Sequence, residues 1–219
     1  MAAAAIVVWV TVDILIGGPW TRLDHRVSRH ILDLGLRHAP WPKDGVFVLT
    51  MFGGRAEIVV VLGGFCLAVS VLRRTWQPVI RFVTAIVILS VIVFAFKYGV
   101  GRTAPWHDRL HAGGTSYPSG HVPNAILTWG LAAWIAAEYR VAHWLRIALD
   151  IMRFVAPAFA FAGMLLLDYH WLSDLVAGVA FGIVLLWVMH VVFDGPAGRW
   201  LNGSNAQPAP TSSVVDSAR

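Results

Sequence analysis

Long apolar segments dominate the chain and constrain its fold more than any other feature. Six of them are close to the roughly 20 residues that a helix needs to cross a bilayer, and only 13% of the 219 residues are charged. In lipid, backbone N–H and C=O groups must bond within their own segment, which favours helices. We therefore predict an all-α integral membrane protein, a bundle of six transmembrane helices. The predicted spans are residues 2–18, 52–72, 78–96, 118–138, 147–167 and 171–193.

The segment after the first span has a different pattern. Residues 21–38 place Leu23, Val27, Ile31 and Leu34 at helical spacing, with Arg, His and Asp side chains on the other faces. This pattern is typical of an amphipathic helix that lies on the membrane surface. Pro40 and Pro42 are expected to close the segment, which predicts an N-terminal interfacial amphipathic helix.

Three regions follow from these patterns. Residues 1–45 hold the first span and the amphipathic interfacial segment, and residues 46–194 form a helical membrane core. Residues 195–219 are rich in Gly, Pro, Ser and Ala and are expected to be a disordered tail. The formal charge of +5 favours a phosphorylated lipid or an anionic membrane surface over nucleic acid, because the cations stand between apolar spans.

The longest polar stretch between the apolar segments is residues 97–121, which is rich in cations and glycine. It ends in the sequence PSGH at the start of the fourth span, where free backbone N–H groups favour an anion. Ser119 suits a helix N-cap, Gly120 lets a ligand approach the backbone, and His121 can exchange a proton. Taken alone, a plain helix cap with an incidental histidine explains PSGH equally well.

His170 and Asp174 form a second candidate pair, because residues four apart share one face of a helix. A carboxylate can hold an imidazole in one tautomer and activate its other nitrogen as a base or nucleophile. An interfacial histidine with a carboxylate partner is the simpler alternative. In an up-down bundle, however, His121, His170 and Lys97 all lie at the same membrane face. That face then offers the cations, N–H donors, nucleophile and acid that phosphoryl transfer through a covalent histidine requires.

Together these features resemble the type 2 phosphatidic acid phosphatases (PAP2), in their six-span membrane lipid phosphatase form. That family carries the motifs Lys-x6-Arg-Pro, Pro-Ser-Gly-His and Ser-Arg-x5-His-x3-Asp. The second motif is complete at residues 118–121, the third keeps His170 and Asp174, and the first keeps Lys97 and Pro105.

The resemblance covers roughly residues 50–193 and implies a phosphatase that needs neither metal nor cofactor. It implies that His170 is the nucleophile that becomes phosphorylated, that Asp174 orients it, and that His121 protonates the leaving oxygen. The implied partners are a phosphorylated lipid substrate and membrane lipids, with no nucleic acid. The groups implied to hold the phosphate are Lys97, Ser119 and the backbone of Gly120.

Two arginines of the family pattern are missing. Ala104 stands before the proline of the first motif, and Gly163-Met164 replaces the Ser-Arg of the third. We predict that Arg102 replaces one of them as a phosphate ligand, with Arg109 as a further candidate. Asp168, close to the proposed nucleophile, is predicted to pair with Arg102 or Arg109.

A metal site is an alternative interpretation of the same loop. His107, Asp108 and His111, completed by Asp168, are of suitable donor types. Their spacing is loose, and the resemblance implies no metal.

The predicted function is hydrolysis of a lipid phosphate or diphosphate at the membrane surface, through a phosphohistidine intermediate. Two alternatives stay open: a phosphotransferase of the same fold, and a non-catalytic membrane protein that binds lipid phosphates. Arginines in the short loops favour an active site on the outer face of the plasma membrane. The composition, rich in Ala and Trp and poor in Lys, is associated with bacteria.

Overall fold

The computed structural model describes residues 2–36, 40–105 and 115–195, and this part of the chain forms nine α-helices and no strand. The predicted all-α fold is thereby confirmed. A π-helical turn, Val59–Gly63, joins the fourth helix to the fifth. The helices are α1 (Ala2–Ile16), α2 (Pro19–Asp33), α3 (Pro40–Met51), α4 (Arg55–Ile58), α5 (Gly64–Arg73), α6 (Gln77–Val100), α7 (His121–Glu138), α8 (His143–Leu166) and α9 (Leu172–Asp194).

All six predicted spans are helical, but they differ in how far they face lipid. Among the described residues, four stretches are long and apolar enough to cross a membrane: Arg55–Arg73, α6, α8 and α9. The pair α1–α2, bent by 82°, adds a fifth if it is one broken span. The remaining predicted span, α7, has 12 of its 18 residues buried by other helices. Protein rather than lipid surrounds α7, so its sequence tolerates polar residues such as Asn124 and Thr128.

Two glycines let α9 approach the first turns of α7 closely. A Cβ at Gly182 would lie 2.8 Å from Ile126 Cβ and 3.0 Å from Pro123 Cα. A Cβ at Gly178 would lie 3.1 Å from Pro123 Cδ. Small residues at such a crossing are typical of packed membrane helices. The close approach brings the beginning of α9 beside the beginning of α7, and these two helix ends carry the candidate site.

The N-terminal helices pack on the same end of the bundle. Helix α1 lies against α9 around Tyr117, whose hydroxyl is 2.7 Å from Thr11 Oγ. Burial raises the pKa of Tyr117, so this hydroxyl stays neutral and bonds within the protein. Between α1 and α2, Asp13 Oδ1 accepts a hydrogen bond from the backbone N–H of Trp20 at 2.9 Å. This bond gives a buried carboxylate in a predicted span a structural partner.

Helix α2 differs from the predicted amphipathic helix in what it buries. It ends at Asp33, and it buries Asp24 together with Ile31, whereas Leu23 stays exposed. The sequence pattern placed Asp24 on a polar face, but in the structure that face packs against the rest of the protein. Its angle of 82° to α1 agrees with a helix that lies along the membrane surface.

Helix α3 was not predicted. Pro40 was expected to end a segment, but it begins α3, because proline fits the first turn of a helix, where its missing N–H is not needed. Helix α3 packs on α8 at Gly163, where a Cβ would lie 2.9 Å from Thr50 Cγ2. The absence of a side chain at Gly163 therefore allows the close contact with α3. The domain boundary at 45/46 stays a prediction, and residues 196–219 of the predicted tail lie outside the described residues.

Candidate active site

Three helix ends meet around a cavity of about 260 Å³ at one end of the bundle. Lys97 reaches it from the last turns of α6, His121 from the first residue of α7, and His170 from the segment between α8 and α9. The structure thus brings together the two histidines and the lysine that the sequence motifs singled out. The described residues that line the cavity are Gly53, Arg55, Leu89, Val93, Lys97, Gly120, His121, Asn124 and His170.

The imidazole of His170 is held through one nitrogen. Its Nδ1 lies 3.2 Å from Ser116 Oγ and 3.4 Å from Asp174 Oδ2. Ser116 donates its hydroxyl hydrogen to Asp174 Oδ2 in a short hydrogen bond. Since the Ser116 hydrogen is used in that bond, its oxygen can accept a hydrogen bond from Nδ1–H of His170. Nε2 then carries the free electron pair of the ring.

Asp174 lies behind His170 and is fully buried. Besides Ser116 and His170, its Oδ2 accepts a hydrogen bond from the backbone N–H of Trp171 at 3.3 Å, at the start of α9. Its Oδ1 accepts one from Arg102 at 2.7 Å. A carboxylate buried this deeply needs such partners, because an unpaired charge in the protein interior is costly. The network fixes the carboxylate of Asp174 beside the ring of His170, and its orienting role stays a prediction.

Arg102 does not lie where the sequence analysis placed it. It is absent from the described residues that line the cavity, and its guanidinium forms ion pairs with Asp24 and Asp174, each at 2.7 Å. It also lies 5.2 Å from the ring centre of Trp171. Arg102 therefore pairs with Asp24 and Asp174 rather than with Asp168. With both carboxylates buried, these contacts indicate a structural guanidinium rather than a phosphate ligand. The alternative prediction, a pair between Asp168 and Arg109, involves a residue outside the described part of the chain.

Asp24 is a site residue that the sequence analysis missed. Its Oδ1 accepts a hydrogen bond from the backbone N–H of Ser173 at 2.9 Å, and its Oδ2 accepts one from Ser173 Oγ at 2.5 Å. With Arg102, Asp24 thus ties the surface helix α2 to the first turn of α9. An acidic residue on the polar face of an amphipathic helix gives no signal of this role.

Lys97 contacts the loop that precedes PSGH. Its Nζ donates hydrogen bonds to the carbonyl oxygens of Thr115 at 2.6 Å and Ser116 at 3.4 Å. An ammonium group has three hydrogens, so one is left for a ligand. Lys97 can therefore both hold the loop and bind an anion in the cavity.

The PSGH turn is built differently from the predicted N-cap. The residue that caps α7 is Gly120, without a side-chain hydrogen bond. Ser119 is fully buried beside Gly178, and it is not among the described residues that line the cavity. Its backbone N–H donates to the Asp174 carbonyl at 3.2 Å, and its Oγ has no partner in the described part of the chain. Gly120 faces the cavity, whereas Ser119 links α7 to α9.

The positions of the two missing arginines do not supply a cation. Met164 is buried in an apolar cluster with Val122 and Leu175, directly beneath the site. At the first motif, the side chain of Ala104 is uncharged. The other candidates in the polar loop, namely His107, Asp108, Arg109 and His111, lie outside the described residues.

The arrangement can support attack on a phosphorus atom. With Nδ1 held from behind, His170 can act as a nucleophile through Nε2, while His121 and Lys97, which line the same cavity, can exchange a proton and bind phosphate oxygens. No carboxylate is among the described residues that line this cavity, so an anionic ligand would meet no like charge there.

Comparisons with known proteins give the family and the fold. The family model described as the PAP2 superfamily matches residues 78–196, a range that includes Lys97, PSGH, His170 and Asp174. No curated protein sequence is similar enough to the chain to count as a match.

One similar solved structure is described as the crystal structure of the first transmembrane PAP2 type phosphatidylglycerolphosphate phosphatase from Bacillus subtilis. The two chains share 16% sequence identity with a TM-score of 0.74, over 89% of this chain and 97% of that chain. At this identity the likeness establishes a common fold.

Proposed function

This chain belongs to the PAP2 superfamily, and on that premise we propose that it is a membrane phosphatase that hydrolyses a lipid phosphate or diphosphate. The observation that supports the proposal is the cavity that His170, His121 and Lys97 line together. The contacts of Nδ1 with Ser116 and Asp174 hold the ring in place.

The reaction runs in two steps. Nε2 of His170 attacks phosphorus, the bond between phosphorus and the leaving oxygen breaks, and His121 gives that oxygen its proton. Water then attacks the phosphohistidine and loses a proton to His121, and inorganic phosphate leaves with restored His170. Splitting one displacement into two through a covalent intermediate is typical of nucleophilic catalysis.

The protein provides the remaining stabilisation electrostatically. Lys97 neutralises charge on the phosphate oxygens, and Asp174 stabilises the positive charge on the phosphorylated ring. The reaction proposed here therefore runs without a divalent metal.

The substrate class follows from the size and position of the cavity. Its volume of about 260 Å³ is below the roughly 300–1,000 Å³ that encloses a whole drug-sized ligand. It therefore takes a phosphate head group while the acyl or prenyl chains stay in the membrane. Phosphatidic acid and phosphatidylglycerophosphate are the first substrates to test, the second because of the activity named for the similar solved structure. Polyprenyl diphosphates and polyprenyl-linked sugar phosphates follow.

The test is phosphate release by purified protein in mixed micelles that contain each lipid and excess EDTA. We expect release by the wild-type chain and none above background by His170→Ala. Phosphate that appears on an added alcohol instead of in solution would identify a phosphotransferase. Absence of turnover with every lipid, together with retained lipid binding, would leave a non-catalytic binding protein.

A further inference from the structure

The cavity has a second cationic side chain besides Lys97. Arg55, at the start of α4, is among its lining residues, and neither the family motifs nor the sequence analysis assigned it a role in the site. Arg55 also lies outside the range 78–196 that the family model matches. Arg55 is therefore not one of the motif residues.

The backbone that carries Arg55 is fixed against α7. Asn124 Nδ2 donates a hydrogen bond to the Gly53 carbonyl at 2.9 Å, and Trp129 Nε1 donates one to the Phe52 carbonyl at 3.0 Å. A Cβ at Gly53 would collide with the carbonyl of His121, so glycine is needed for the close approach. The backbone next to Arg55 is therefore held beside His121, the proposed proton donor.

The guanidinium of Arg55 is not neutralised within the described residues. Arg81, Arg102 and Arg153 each have a carboxylate partner. Arg55 has none there, and its guanidinium lies 5.5 Å from the ring centre of Phe94. An exposed side chain with this weak contact can turn toward an anion in the cavity without breaking an ion pair.

We propose that Arg55 is the guanidinium that binds the substrate phosphate together with Lys97, in place of the missing motif arginines. The positions of those arginines hold Ala104 and the buried Met164, and Arg102 is bound to two carboxylates. A guanidinium binds two phosphate oxygens at once, which a lysine ammonium cannot do with the same geometry. The inference rests on the proposed function for its substrate, but not for the anion site itself.

The first experiment compares kinetics of Arg55→Ala, Arg55→Lys and a control, Arg22→Ala. Arg22 is an exposed cation on α2 with no side-chain contact to the described part of the site. We expect kcat/KM to fall about 100-fold in Arg55→Ala, the size typical for one lost donor to a transition state. In Arg55→Lys, kcat/KM should be about tenfold higher than in Arg55→Ala, because lysine restores the charge but not the paired donors. Kinetics of Arg55→Ala equal to those of Arg22→Ala would overturn the inference.

The second experiment does not depend on turnover. Binding of inorganic phosphate is measured by the rise in unfolding temperature of the wild-type chain and the same three variants. We expect the phosphate Kd to increase about tenfold or more in Arg55→Ala, because one charge-assisted contact is lost. The Kd should stay unchanged in Arg22→Ala. Equal phosphate binding by Arg55→Ala and Arg22→Ala, or no phosphate binding by the wild type, would overturn the inference. The two proposals can fail separately. If the wild type hydrolyses no lipid, and phosphate binding is lost in Arg55→Ala but kept in Arg22→Ala, the proposed function is wrong and the anion site is supported.

Discussion

Ser116 links His170 to Asp174 through two contacts, and each of them is shorter than the direct contact between His170 and Asp174. The direct separation of Nδ1 and Oδ2 is 3.4 Å, longer than the roughly 2.7–3.2 Å of ordinary hydrogen bonds. Through Ser116 Oγ, the first link is 3.2 Å and the second is short. The serine hydroxyl therefore selects the tautomer of His170 that leaves Nε2 free to attack.

Replacing Ser116 tests this relay. In Ser116→Ala, we expect kcat to fall about 10- to 100-fold, as is typical when an orienting partner of a functional imidazole is removed. KM should change less than about twofold, because Ser116 does not line the cavity that binds the phosphate. Steady-state kinetics with phosphatidic acid provide the measurement.

Thr115→Ala is the matched control, because the contact of Thr115 with Lys97 uses its backbone carbonyl, which the substitution keeps. The relay would be contradicted if Ser116→Ala kept the wild-type kcat, or if it changed KM alone.

Individual residues were predictable only where a motif fixes their spacing. Lys97, PSGH, His170 and Asp174 follow from the family pattern. The bond from Arg102 to Asp24 joins residues that are 78 positions apart, and no periodicity marks such a pair. Arg102 was expected to replace a missing arginine because it is close in sequence, but a buried carboxylate on α2 binds it instead.

Helix α2 is part of the site rather than a separate surface anchor. Its buried carboxylate, Asp24, contacts Arg102 and both the N–H and the hydroxyl of Ser173. These contacts hold the start of α9, where Asp174 lies. A change at the membrane surface that shifts α2 would therefore act directly on the group that orients His170.

Asp24→Asn tests the docking of α2. It keeps the shape of the side chain but removes the charge that pairs with Arg102, a loss of about 2 kcal/mol for one charge-assisted hydrogen bond. We expect α2 to detach more often, so that trypsin cleaves after its arginines faster than in the wild type. Limited proteolysis in detergent micelles, with peptides identified by mass spectrometry, measures the rate.

The control for that experiment is Asp33→Asn, which removes an exposed carboxylate from the same helix. It should be cleaved at the wild-type rate. Equal cleavage rates for Asp24→Asn and Asp33→Asn would show that the buried carboxylate does not hold α2 in place.

The helices were predictable to different degrees because their surroundings differ. Helices α6 and α9 carry long apolar runs, and both were expected from composition alone. Helix α7 was located mainly through PSGH at its start, since a helix surrounded by protein need not be apolar on every face. Helix α3 was missed because its prolines indicated an end, although they stand in the first turn.

The two ends of the bundle differ in what they offer a ligand. At the end away from the cavity, Arg81 pairs with Glu138 and lies 4.5 Å from the ring centre of Trp134. Arg73 donates a hydrogen bond to the Tyr139 carbonyl at 2.6 Å and so closes the loop after α7. Arg81 and Arg73 are thus bound within the protein at that end, whereas Lys97 and Arg55 line a cavity.

The position of this cavity relative to the membrane can be tested with the single cysteine of the chain. Cys66 is buried, and Cys66→Ala gives a background for new cysteines. We expect Arg29→Cys on α2, at the end of the cavity, to react with a membrane-impermeant maleimide in intact bacterial cells. His143→Cys, at the opposite end, should react only after the cells are opened. The reverse pattern would place the site on the cytoplasmic face.

At the scale of the whole molecule, the apolar segments and their order predicted the fold class and the common face of Lys97, His121 and His170. The packing order was not predictable. Close contacts at small residues such as Gly163 and Gly182 determine this order. In it, α7 is central, α1 lies on α9 and α3 lies on α8. Such contacts leave no distinct period in a chain that is apolar almost throughout.

Detection of a covalent intermediate on His170 tests the proposed mechanism most directly. The protein is mixed with phosphatidic acid labelled in its phosphate, quenched in alkali to preserve phosphohistidine, digested and mapped by mass spectrometry. We expect a phosphate on the peptide that contains His170, and none on that peptide in His170→Ala. Phosphate release by the wild type without any label on His170, or with the label on another residue, would contradict the proposed mechanism.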